Sequence, residues 1–168
     1  ASVASFFVSR IDTAVDKLLK EKGLDALCGK TAVANAKQAY RRYQQLFSGA
    51  SWERLAATGA RVQRLLWAST GTKDPAYSDV KYVEELIGPD TVNTMPPATA
   101  AAFRDHGKVA DTLLADMDEG IRRFAALSEA GISLDEVTAK LLDEGVKLFD
   151  DAFQKLLAEI PKVRAEGK

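Results

Sequence analysis

The residues best suited to chemistry lie in three short polar runs: Ser9-Arg10-Ile11-Asp12, Ser69-Thr70-Gly71-Thr72-Lys73 and Asn93-Thr94-Met95-Pro96. In the second run hydroxyls surround a glycine and a lysine follows. Ser69, Thr72 and nearby backbone N–H groups can then donate to an oxyanion while Lys73 neutralises its charge. Arg10 adds a planar two-donor fork that matches a phosphate. The second run lacks the GxxxxGK spacing, so the residues give no support for nucleotide binding. Two plainer readings stand beside this one. The second run is an ordinary polar turn, or Arg10 pairs with Asp12 or Asp16 as a surface ion pair.

Other reactive side chains offer less. His106 falls at a helix end, where its ring can satisfy last-turn carbonyls. Cys28 precedes Gly29 in a loop with no evident base nearby, which argues against a reactive thiol. Trp67 closes an apolar run and reads as core or pocket wall. Asp12 and Asp74 both follow apolar runs, and Asp12 is equally placed to cap a following helix. No two carboxylates stand out as an acid/base couple. One cysteine and one histidine exclude both a disulfide framework and a Cys/His zinc site.

The elements that must position these runs alternate in type. Residues 3–8, 62–68 and 91–95 are short, β-branched or aromatic, and followed by polar turns, so they are predicted to be buried parallel strands. Val33, Ala36, Tyr40, Tyr43 and Phe47 lie at helical spacing, and Ser48-Gly49 stops the run. Ser78 caps a short helix carrying Val80, Val83 and Leu86. Pro97 opens another that ends at His106-Gly107. Asp116 with Glu119, and Ser133 with Glu136, read as capping pairs for two further helices. The last of these carries an apolar stripe through Leu141, Val146, Phe149, Phe153, Leu156 and Ile160, expected to dock on its own core.

The resulting order, β-α-α-β-α-β-α-α-α, implies parallel strands joined by right-handed crossovers, an α/β class. An eight-stranded β/α barrel needs at least about 200 residues. The chain has 168 and reads as part of one: strands and helices to residue 110, then a helical tail over 111–168. Composition excludes other classes. No apolar run approaches the ~20 residues of a membrane span, and Ala1–Val8 runs straight into Arg10 and Asp12, a poor signal peptide. The net charge of −1 gives no reason to expect nucleic acid, and a single cysteine suits a reducing, cytoplasmic setting. Residues 1–73 carry 12 basic and 5 acidic side chains, against 11 and 19 in 74–168. A basic first half suits an anionic ligand or an acidic partner, or is simply solvated helix surface.

Taken together, Val3–Asp12, Trp67–Pro75 and Asp90–Pro96 resemble the last three strand-and-loop segments of the transaldolase family. The resemblance is to the bacterial subfamily related to the transaldolase part of transaldolase/glucose-6-phosphate isomerase fusions. It implies an eight-stranded β/α barrel of the pentose phosphate pathway. Such an enzyme moves a dihydroxyacetone unit from sedoheptulose 7-phosphate to glyceraldehyde 3-phosphate through a lysine Schiff base, with no metal or organic cofactor. By that resemblance Ser5 and Phe7 line the reacting part of the substrate, Arg10 binds phosphate and Ser69 contacts it. Lys73 is the nearest candidate for a second phosphate cation, since other subfamilies carry arginine near Gly71. Thr72 joins this substrate-binding group through its hydroxyl.

A Schiff-base lysine must be neutral enough to attack a carbonyl. None of the three predicted strands contains a lysine. The resemblance therefore implies a C-terminal portion that lies after the nucleophile and its acidic partners. It is expected to be inactive alone and to pair with the missing half of the barrel or a second copy of itself. Two alternatives are a non-catalytic phosphosugar-binding half-barrel and a helical interaction module that binds a partner through its last helix.

Overall fold

The structure, a computed structural model, describes residues 1–165. Three strands, β1 (Ser2–Phe7), β2 (Gln63–Ala68) and β3 (Thr91–Asn93), form one parallel sheet in the order β1-β2-β3. All three predicted strands are present and parallel. Only β2 is buried as expected, because β1 and β3 lie at the sheet edges with just one strand neighbour each. The third is shorter than expected, because Pro96 and Pro97 follow it and bring no N–H to a ladder. Both β1 and β3 are edge strands.

Register fixes which residues share a face. Ala4 and Phe6 lie beside Leu65 and Trp67, whereas Ser5 and Phe7 lie beside Leu66 and Ala68. Successive side chains alternate between faces, so the first set packs under the helices and the second forms the opposite surface. Trp67 is fully buried and meets the Phe6 ring edge-on at 5.9 Å. On the opposite surface Val3 and Phe7 remain 40% and 38% exposed.

Helix α1 (Ser9–Glu21) buries Ile11, Val15 and Leu19, one residue per turn. Helix α2 (Thr31–Leu46) buries Val33, Ala36, Tyr40 and Tyr43, the stripe expected from their spacing. Helix α2 stops at Leu46, just before Ser48-Gly49 as expected, but Gly49 opens a new helix. That glycine takes φ +74 and starts α3 (Gly49–Ala57), which is held by Trp52 set edge-on to Phe47 at 4.8 Å. The short α4 (Lys81–Glu84) precedes β3, and α5 (Pro97–His106) follows it with Pro97 in the first turn.

Helix α6 (Glu119–Glu129) corrects the capping pair expected at its start. Asp116 lies outside the helix at φ +51, and Glu119 spends its carboxylate on Arg122 and Arg123. The second capping site holds: Ser133 Oγ accepts the Glu136 N–H at 3.2 Å at the start of α7 (Leu134–Ala165).

Two compact units follow one another along the chain, the first ending at Ile132, and within it α6 packs on α2. In the second unit, Leu142, Val146, Phe149, Phe153, Leu156 and Ile160 are all more than half exposed. No helix among the described residues is long and apolar enough to cross a membrane.

Candidate functional site

The three strand exits lie side by side because pairing continues past the strands. The N–H of Val8 donates to Ala68 O at 2.9 Å and that of Ser9 to Ser69 O at 3.1 Å. Beyond them the Ser9 and Ser69 hydroxyls share a hydrogen bond of 2.8 Å. Fully buried Thr70 donates to Asn93 Oδ1 at 2.9 Å, which ties in the third exit. Ser69 takes φ +56, a left-handed conformation that a side chain adopts at a cost of about 1 kcal/mol or more. Such a residue at a strand exit is held by its surroundings, here by the bond to Ser9.

Arg10 lies in the first turn of α1, and its guanidinium stands 4.9 Å from the centre of the Phe7 ring, which belongs to the sheet face opposite Trp67. Ser5 shares that face with Phe7, and both are exposed. The surface ion-pair reading of Arg10 fails. Asp12 and Asp16 have other partners, and among the described residues Arg10 makes no ion pair. A stacked guanidinium keeps its planar set of donors available to an anion.

Lys73 falls elsewhere. It lines a cleft of about 570 Å³ between α1 and the loop leaving β2, together with Ser9, Asp16, Lys20 and Tyr77. Neither Arg10, Ser5 nor Phe7 lines that cleft. The Thr72 hydroxyl donates to Ser78 O at 2.7 Å and so is committed within its own loop. The structure therefore groups Ser5, Phe7 and Arg10, connects Ser69 to them through Ser9, sets Lys73 in the cleft beside α1 and ties Thr72 to Ser78 within the loop.

Under this site lies a buried polar network that the sequence reading did not single out. Asp12 is 1% exposed. Its Oδ1 accepts the Ala32 N–H at 2.7 Å and its Oδ2 the Tyr82 hydroxyl at 2.8 Å. Asp16, one turn on, accepts the Gly29 N–H at 2.8 Å and the Tyr77 hydroxyl at 2.7 Å. The Lys81 ammonium stands 3.8 Å from Asp12, donates to Gly29 O and lies 4.1 Å from the centre of the Tyr77 ring. Burial raises the pKa of Asp12, opposed by its bonds to Ala32 and Tyr82. Burial and the carboxylates they touch also raise both tyrosine pKa values, so the phenols stay neutral donors. The available signal was the spacing of Asp12 and Asp16, four residues apart on the face that carries Val15 and Leu19.

The remaining candidates have structural surroundings. Cys28 Sγ points at Asp16 O at 3.8 Å, and burial raises the thiol pKa, which disfavours a thiolate. Trp67 is core, and its buried Nε1–H has no partner among the described residues. His106 bridges Asp79 at 2.9 Å and Asp105 at 3.1 Å on the surface. No cluster among the described residues could hold a metal ion.

The geometry defines a mixed α/β protein with adjoining polar exits on a parallel sheet. Comparison with known proteins narrows this. The sequence model described as transaldolase/fructose-6-phosphate aldolase matches residues 1–160. A transaldolase of Frankia alni is 51% identical over 164 residues, covering 95% of this chain and 44% of the relative. Transaldolase 1 of Streptomyces avermitilis is 50% identical, covering 99% and 45%. The transaldolase of Saccharopolyspora erythraea is also 50% identical, covering 100% and 46%. The chain belongs to the transaldolase/fructose-6-phosphate aldolase family. It spans less than half the length of these relatives.

Proposed function

We propose that this chain is the C-terminal portion of a transaldolase, forming strands six to eight of a β/α barrel. In the whole enzyme a dihydroxyacetone unit passes from sedoheptulose 7-phosphate to glyceraldehyde 3-phosphate through a Schiff base on a lysine upstream of this chain. Ser5 and Phe7 then form one wall of the pocket, and Arg10 and Ser69 take the phosphate. Lys73, which lines the neighbouring cleft, and Thr72, whose hydroxyl is committed to Ser78 O, are left out of this phosphate group. The observation that carries this reading is Arg10: stacked on Phe7, free of any carboxylate among the described residues, beside the Ser9–Ser69 pair. A guanidinium so held is ready for a two-donor contact with a phosphate.

The exposed Val3 and Phe7 and the open edge of β1 fit a wall that the upstream half, or a second copy, completes. A cytoplasmic location goes with sugar-phosphate substrates and one free cysteine. Incubation with fructose 6-phosphate and borohydride, followed by mass measurement, tests the assignment of the nucleophile. The full-length protein should gain one reduced adduct on an upstream lysine and this chain none. An adduct on Lys73 or any other lysine of this chain would overturn it.

A further inference from the structure

The loop that leaves β2 is fastened to α1 at three points. Its first residue, Ser69, bonds Ser9 at 2.8 Å. Asp74 pairs with Lys20 at 3.3 Å in an exposed contact. Near the far end, the Tyr77 hydroxyl donates to Asp16 Oδ2 at 2.7 Å.

The third contact is the most firmly built. Asp16 is 5% exposed, and its other oxygen is fixed by the Gly29 N–H at 2.8 Å, so the carboxylate has one orientation. The Tyr77 ring fits against Gly29, where a Cβ would stand 2.6 Å from the ring. The Lys81 ammonium lies 4.1 Å from the centre of the same ring. The tyrosine is thus held at its hydroxyl and along its ring.

Helix α1 also carries Arg10, six residues before Asp16. An anion held by Arg10 from α1 and by Ser69 from the loop needs a fixed distance between those two elements. A misplacement of about 1 Å is enough to lose most of the benefit of a positioned group. We infer that Tyr77, acting through Asp16, is a positioning residue that sets the spacing of the β2-exit loop against Arg10 and so tunes affinity for a substrate phosphate. The inference rests on the transaldolase reading above. Tyr82 provides an internal control. Its hydroxyl donates to Asp12 at 2.8 Å, the same chemistry in a more buried place, but it fastens α4 and not the loop.

The test is steady-state kinetics of the full-length protein carrying Tyr77→Phe, Tyr82→Phe or Arg10→Ala, with fructose 6-phosphate and with unphosphorylated fructose as donors. Tyr77→Phe should raise KM for the phosphorylated donor roughly tenfold, keep kcat within about twofold, and leave the unphosphorylated donor unaffected. Tyr82→Phe should lower the thermal unfolding midpoint and leave both KM values alone. Equal effects of Tyr77→Phe on the two donors, or effects no different from those of Tyr82→Phe, would overturn the positioning role. If Arg10→Ala is selective for the phosphorylated donor while Tyr77→Phe is not, only this inference falls. If Arg10→Ala is not selective either, the phosphate site fails and the inference fails with it.

Discussion

Asp12 on α1 accepts the backbone N–H of Ala32 in the first turn of α2 at 2.7 Å, so one helix caps the next across 20 residues of chain. The residue at the N-cap position of α2, Lys30, makes no side-chain capping bond. A helix start leaves N–H groups unmet, and a carboxylate there also complements the helix dipole. The same carboxylate takes the Tyr82 hydroxyl and faces Lys81, so a single side chain orients α1, α2 and α4.

Removing that carboxylate should be severe. Asp12→Ala leaves a buried N–H, a buried phenol and an ammonium without their acceptor, for an expected loss of about 3–5 kcal/mol by urea unfolding. Asp12→Asn keeps one acceptor oxygen and should lose less. The pH dependence has a definite sign. Burial lifts the Asp12 pKa above 3.8. The folded protein therefore holds this proton more tightly than the unfolded chain. The group's contribution is fully present below 3.8 and declines as pH rises through the raised value. Asp12→Asn should remove that slope.

Gly29 is the tightest point of the network. It has φ +70, and a Cβ would fall 2.6 Å from the Tyr77 ring and 2.8 Å from Lys81 Nζ. Gly29→Ala is expected to destabilise by about 2–4 kcal/mol, from the left-handed backbone together with overpacking. Gly23 shares the positive φ but has open space where a Cβ would go, so Gly23→Ala should lose only the conformational part, about 1 kcal/mol. Equal losses at the two glycines in urea unfolding would contradict the packing argument.

Much of this frame was legible in the sequence because it depends on local signals. The apolar runs at β1 and β2, the 3.6-residue stripe of α2 and Pro97 at the start of α5 each follow from neighbouring residues alone. The Asp16–Tyr77 and Asp12–Tyr82 pairs did not show, since 61 and 70 residues separate the partners and only the crossover from β1 to β2 brings them together. Placing Lys73 beside Arg10 ran into the same difficulty. Both residues follow strands, but the direction each leaves the sheet is set by Ser69 at φ +56 and by the loop fastening at Tyr77. At Asp116 a pattern suited to a helix cap was outweighed by long-range contacts. Lys37 donates to Ala115 O and Gln38 to Met117 O, which hold residues 115–117 against α2 before α6 begins.

His106 is the chain's one histidine, so its ring resonances need no assignment. Its bond to Asp79, and then that to Asp105, raise its pKa above 6.5. NMR titration should show a midpoint above that value, and Asp79→Asn should move it down. Because the folded value is raised, the contribution of the imidazolium is present below pH 6.5 and is lost as pH climbs through the higher midpoint. A midpoint at or below 6.5 would remove the bridge between α5 and the loop at Asp79.

If Arg10, poised over Phe7, holds the substrate phosphate, its removal must discriminate between a phosphorylated and an unphosphorylated donor. In the full-length protein, Arg10→Ala should lower kcat/KM for fructose 6-phosphate by roughly one to three orders of magnitude. Part of the loss is expected in kcat, since remote phosphate binding also aligns the reacting carbon. Unphosphorylated fructose should be turned over as before. An equal loss for the two donors would contradict phosphate binding by Arg10, which would then act on something both share.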